Sequence, residues 1–181
     1  DCDLIDFIPL TKEYHHFKRE PLGILSTRRL NLSTSRISDT DIAALLRLMP
    51  ELRSLEFGGN RIGEQTIAAI AQCPKLICLS LRMVEGISEQ GLELITKSCT
   101  QLKVMCLGWT CNRILEEAPQ SFVASLVKSV STNCTGLEHL DVSGCREYIN
   151  DALVDRLVAG CTRLKTIDLS DSYVLTDESV N

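Results

Sequence analysis

Aromatic residues are scarce: one Trp, three Tyr and four Phe in 181 residues. A surface that stacks nucleobases needs such rings, so none is expected. Positive charge is not in excess either. The formal net charge is -5 and the pI about 5.2, which argues against a broad phosphate-binding footprint. No apolar run reaches the length of a membrane span, and no signal peptide is visible. No C-x-x-C pair occurs among the nine cysteines. An odd count without that spacing suggests neither a zinc ribbon nor a full disulfide framework, and an extracellular receptor with paired cysteine caps is not indicated. What remains is a chain with 44% hydrophobic and 24% charged residues, enough for one domain with a sizeable core.

That core is written as a repeat. In Cys134–Asp171, Leu137, Leu140 and Val142 open one copy of a pattern and Leu164, Ile167 and Leu169 open the next. Between them lies a segment of helical period that begins at Asn150–Asp151, with Leu153, Leu157 and Val158 expected on one face. The same register runs back through Thr27, Leu30 and Leu32; Leu52, Leu55 and Phe57; Leu76, Leu79 and Leu81; and Leu102, Met105 and Leu107. The first positions are 27, 52, 76, 102, 137 and 164, so the steps are 25, 24, 26, 35 and 27. A strand, a loop and a helix repeated near every 26 residues is the long type of leucine-rich repeat. The expected class is α/β: a right-handed leucine-rich-repeat solenoid, or horseshoe, with a parallel concave sheet and convex helices.

The repeat also absorbs most cysteines. Cys73, Cys99, Cys134 and Cys161 share one slot at the end of a helical segment, and Cys145 takes the loop slot that Asn60 fills elsewhere. A thiol there is a small apolar filler with a weak donor. Unpaired thiols persist in reducing compartments, so nucleus and cytoplasm are expected. Ser38–Asp41, Ser88–Glu89 and Asn150–Asp151 offer helix starts, and Thr176–Glu178 opens a final one. Residues 1–26 fit the repeat poorly and are expected to form an N-terminal cap or degenerate repeat ahead of repeats over 27–181, the last truncated. His15–His16 completes no metal-ligand set in this pattern, and neither metal nor cofactor is expected. The 35-residue unit should carry a longer loop or helix. The chain stops just inside a helical segment, so the array is expected to continue.

Alternation along each strand puts the residues between pattern positions on the open face. They form columns: Arg29, Ser54, Cys78, Val104, His139, Thr166; then Asn31, Glu56, Ser80, Cys106, Asp141, Asp168; then Ser33, Gly58, Arg82, Gly108, Ser143, Ser170. Asp141, Asp168 and nearby Asp171 are expected to make the late repeats acidic. Such an open face binds proteins. His139 with Asp141 and Asp168 could mimic a catalytic base, but no nucleophile with an oxyanion hole accompanies them, so no catalytic residues are assigned. Cys78 and Cys106 read as ordinary thiols of that face. Trp109, directly after the fourth strand, is either packed on the loop ridge or an exposed interface anchor.

The Cys-bearing repeats resemble those of F-box leucine-rich-repeat proteins, the substrate receptors of Skp–cullin–F-box ubiquitin ligases. L-N-L-S-T-S from Leu30, L-G-W-T-C from Leu107, L-D-V-S-G-C-R from Leu140 and L-K-T-I-D-L-S-D-S-Y-V-L from Leu164 carry the likeness, with the long fourth unit. The resemblance implies binding of a phosphorylated cell-cycle regulator together with a Cks-type accessory protein. It implies partner contacts at Trp109, Arg146 and Asp171, beside His139, Asp141 and Asp168 of the open face. Skp adaptor and cullin would be reached only through an F-box, and none is read in this chain. The alternative is a stand-alone repeat scaffold or regulator with no ubiquitin-ligase link.

Overall fold

The computed structural model describes residues 25–33, 35–110 and 119–177. Strands and helices alternate: β1 (Arg29–Asn31), α1 (Asp39–Arg47), β2 (Ser54–Gly58), α2 (Glu64–Ile70), β3 (Cys78–Arg82), α3 (Glu89–Ser98), β4 (Val104–Cys106), α4 (Pro119–Asn133), β5 (His139–Asp141), α5 (Asp151–Gly160) and β6 (Thr166–Asp168). The six strands form one sheet in chain order, and every neighbouring pair is parallel. Each helix is the crossover that parallel neighbours require. The result is the expected leucine-rich-repeat solenoid.

Register follows the apolar pattern. Leu30, Leu55, Leu79, Met105, Leu140 and Ile167 pair in one row, and all but Ile167 are buried. A slip of one residue would turn this row to water, which is what pins the register. Leu32, Phe57, Leu81, Leu107 and Val142 form a second buried row. In two repeats the loop slot also ties the unit to the one before. Asn60 Nδ2 donates to Leu32 O at 3.1 Å, and Thr110 Oγ1 donates to Leu81 O at 2.7 Å.

The helix starts fall where the sequence places them. Ser38, Ser88 and Asn150 are N-caps whose side chains accept from Asp41, Gly91 and Leu153 N–H groups. Gly63, the N-cap of α2, has no side chain to do this. Asp39 of the preceding helix supplies the acceptor instead, taking Gly63 N–H at 2.7 Å and Thr66 N–H at 3.2 Å. In the 35-residue unit the helix itself is lengthened: α4 has 15 residues where the others have 7 to 10.

The four helix-end cysteines are buried and stack along the array. Cys99 Sγ lies 3.5 Å from Ile70 O, and Cys161 Sγ lies 3.8 Å from Val130 O, each in the preceding repeat. Burial pushes the Cys73 thiol up to about 11 and the Cys99 and Cys134 thiols up to about 12. They are inert fillers at these positions.

One expectation fails. Val158 is 55% exposed, and Val154 joins Leu157 as the buried pair of α5, with Leu153 partly buried. The corresponding positions in earlier repeats, Leu46, Ile70, Thr96 and Ser131, are buried. There the following repeat closes over them. Asn133 Nδ2 donates to Thr96 Oγ1 at 3.2 Å, and Gly160 backs onto Ser131. Among the described residues no repeat follows β6. Most of the expected N-terminal cap, with His15–His16, and the body of the final helix lie outside the described residues.

Candidate functional site

The open face of the sheet carries the three columns in the predicted register. Half of its second column is occupied with holding the turns. Asn31 Oδ1, Asp141 Oδ1 and Asp168 Oδ1 accept from Ser33, Ser143 and Ser170 N–H at 2.7, 2.9 and 3.0 Å. These are Asx-type turns, in which a short polar side chain satisfies a backbone donor two residues on.

Asp141 is therefore not the solvated acid expected of it. It is 8% exposed. Arg82, two strands away, reaches across β4 to place Nη1 3.2 Å from Asp141 Oδ2. The contact is an ion pair by distance only. Asp141 Oδ2 is buried and accepts no hydrogen bond, and Ser143 Oγ beside it is likewise unpartnered. Between them, Gly108 leaves the space that this arrangement needs: a β-carbon there would lie 2.5 Å from Ser143 Oγ and 2.8 Å from the Asp141 carboxylate. Asp168 remains exposed; the Ser170 hydroxyl and N–H hold its carboxyl below the ordinary range. His139 Nδ1 lies 2.6 Å from Thr166 Oγ1, so its polar partner is a hydroxyl of the next repeat. Cys106 is half-buried and its thiol is pushed up to about 11, chiefly by burial and then by Asp141.

The rim just past the strands is the more unusual surface. Gly59, Met83, Trp109, Gly144 and Asp171 occupy one slot in successive repeats, and all have left-handed backbone, with φ of 69, 56, 62, 76 and 61°. Two are glycine, the residue that takes this conformation freely. The other three each bear a cost of about 1 kcal/mol or more. Trp109 is half-buried, and its ring leans over the next repeat, where a β-carbon on Gly144 would come 2.9 Å from Trp109 Cδ2. Asp171 is exposed. Arg146, at φ 48°, sits one turn further in. It pairs in a backbone bridge with Ser172, and its Nε is buried without a hydrogen-bond partner.

The structure thus brings Trp109, Arg146 and Asp171 to one rim, with His139, Asp141 and Asp168 in adjacent columns below. Sequence reasoning placed Arg82 on the open face but missed its reach to Asp141, and it missed the roles of Met83 and Gly144. The glycines at 59 and 144, in one slot three repeats apart on either side of Met83 and Trp109, were the available signal of a left-handed turn. Among the described residues no group of three or more His, Cys, Asp or Glu is placed to hold a metal. No helix among them is long and apolar enough to cross a membrane.

Parallel strands in chain order, buried pattern leucines and an open polar face define a leucine-rich-repeat protein, a scaffold whose extended face binds other proteins. The family model described as the SKP2 LRR domain matches residues 12–181, and the chain belongs to that family. Among solved structures, the tropomodulin C-terminal domain from Caenorhabditis elegans is similar, with a TM-score of 0.57 at 10% identity, over 77% of this chain and 84% of that one. A chain of the yeast Rad7–Elc1 complex is also similar, with a TM-score of 0.53 at 16% identity, over 86% of this chain and 46% of that one. At these identities the likeness concerns the fold alone.

Proposed function

We propose that this chain is the recognition segment of an F-box leucine-rich-repeat substrate receptor. It binds a phosphorylated cell-cycle regulator and a Cks-type accessory protein, and so presents the regulator to a Skp–cullin–F-box ubiquitin ligase for ubiquitin-dependent degradation. The observation that carries this reading is membership of the SKP2 LRR domain family over nearly the whole chain. The rim supports it physically. Trp109 supplies rigid apolar area, Arg146 a planar donor and Asp171 an acceptor, the mixture found in interface hot spots. Trp109 and Asp171 stand in a left-handed slot that glycine fills in two other repeats, as expected where a binding surface fixes the residue.

On this reading the chain contributes binding and no catalysis, works in nucleus and cytoplasm, and meets the Skp adaptor and cullin through an F-box rather than through these repeats. The structural likeness to a chain solved in the Rad7–Elc1 complex is compatible with a place in a multiprotein assembly. Affinity capture of the full-length protein, scored for the Skp adaptor and a Cks subunit, is the test. Recovery of both supports the assignment. Recovery of neither contradicts it and leaves a stand-alone repeat scaffold.

A further inference from the structure

The opposite edge of the sheet, where the strands begin, carries a row of its own: Arg28, Arg53, Ile77, Lys103, Glu138 and Lys165, one per repeat. Backbone bonds pin this row. Arg28 O accepts from Arg53 N–H at 2.8 Å and Ser54 N–H at 2.9 Å, and each later member does the same for the repeat that follows, as far as Glu138 O with Lys165 and Thr166 N–H. Successive members are therefore cross-strand neighbours about 4.8 Å apart. Glu51, Lys75 and Arg163 stand two residues earlier in their repeats. In a chain of net charge -5, this edge thus holds six basic residues against two acidic ones.

The two acids do not neutralise it. Glu51 takes Lys75 Nζ at 2.6 Å, and Glu138 is shared between Lys103 and Lys165. Arg28 and Arg53 are exposed and make no ion pair among the described residues; both lie only in the field of Glu51. Like charges directly opposite on neighbouring strands oppose folding. Two guanidiniums set side by side are explained by an anion that bridges them. The spacing describes that anion. Arg53, Lys103 and Lys165 fall on alternate repeats, about 9.6 Å apart. A peptide in the polyproline II conformation returns to the same face every three residues, about 9.3 Å. A membrane would demand a broad basic face, and here the cations are confined to one edge of an acidic protein.

We propose that the strand-entry edge is a second protein-binding surface, which takes an extended acidic segment with a carboxylate at every third residue. One carboxylate bridges Arg28 and Arg53, and the next two meet Lys103 and Lys165. The lysines are free to turn outward, because their bonds to Glu138 are exposed ion pairs, which are weak in water. This surface is separate from the rim that carries Trp109, and it holds whether or not that rim meets an accessory protein.

The test is an anisotropy titration, at low salt, of a labelled peptide of three Glu-Pro-Ala repeats, with Gln-Pro-Ala repeats as the uncharged control and thermal unfolding of each protein. The wild type is expected to bind the acidic peptide and not the control, more weakly as salt rises. Arg28→Gln combined with Arg53→Gln should weaken binding by about fivefold or more and leave the unfolding midpoint equal or higher. Arg36→Gln, an exposed cation beyond β1 at the far end of its repeat, should leave binding unchanged. An equal loss from Arg36→Gln means general attraction and overturns the proposal, as does no loss from the double variant. A lowered midpoint in the double variant means that these cations serve the fold, by complementing the helix C-termini that lead into the strands, and also overturns it. A wild type that ignores the peptide but binds phosphatidylserine vesicles overturns it in favour of a membrane.

Discussion

The indole of Trp109 lies across Gly144 of the neighbouring repeat, with Cδ2 2.9 Å from where a β-carbon on Gly144 would stand. The absence of a side chain at Gly144 is what lets the ring settle. Gly144→Ala therefore combines a left-handed φ of 76° with a collision against the ring. It should cost about 1–3 kcal/mol in chemical denaturation and weaken partner binding by displacing the ring. Gly59→Ala is the control: its φ is 69° but nothing lies within 4 Å of the added carbon. It should show only the backbone cost of about 1 kcal/mol and leave binding unchanged.

The helical side of the array offers a second contrast. A β-carbon on Gly160 would lie 2.2 Å from the backbone oxygen of Ser131, which cannot rotate away. Gly160→Ala should destabilise by about 1–3 kcal/mol through separation of α4 and α5. Gly136 has nothing within 4 Å of the added carbon. Gly136→Ala should be neutral or stabilising by up to about 1 kcal/mol, since it only restricts the unfolded chain.

The sequence and the structure agree where periodicity decides the outcome. Apolar spacing placed every described strand, and its register followed because one face had to be buried. Helix starts at Ser38, Ser88 and Asn150 were legible because their hydroxyl and amide groups cap locally. Features that depend on two repeats at once were not legible. Asp39 capping α2, Arg82 reaching Asp141 over Gly108, and Trp109 resting on Gly144 all join residues 24 or more positions apart. Val158 was misplaced for the same reason, because its slot is buried by a neighbour and not by its own helix. Of the site, the columns and Trp109 were readable, but the burial of Asp141 and the strained row through Met83 were not.

The stacked thiols make the fold sensitive to alkali. Cys73, Cys99 and Cys134 have ordinary values of 9.0 when unfolded and about 11 to 12 when folded. Above pH 9 the unfolded chain loses these protons first, so stability is full below that pH and falls as pH rises toward the folded values. Iodoacetamide at pH 8 should leave these three cysteines unlabelled in the native protein and label all three in guanidinium. Rapid native labelling would contradict their burial.

Acid acts through Glu138. Its carboxylate takes Lys165 Nζ at 2.6 Å and Lys103 Nζ at 3.0 Å, linking three repeats, and these bonds hold its carboxyl down to about 2. A depressed value means stability that is present above 4.5, the ordinary value, and is lost as pH falls toward 2. Glu138→Gln should flatten the decline of the unfolding midpoint between pH 5 and 2 and change little at neutral pH in high salt. An unchanged acid profile would show that the triad contributes nothing.

The central claim is that this solenoid meets a protein partner along the rim that carries Trp109. Calorimetric titration of a Cks-type accessory protein into the wild type and Trp109→Ala, alongside their thermal unfolding, tests it most directly. The account predicts measurable wild-type binding, a loss of at least about tenfold in the variant, and cooperative unfolding retained. Equal affinity in two folded proteins would contradict it.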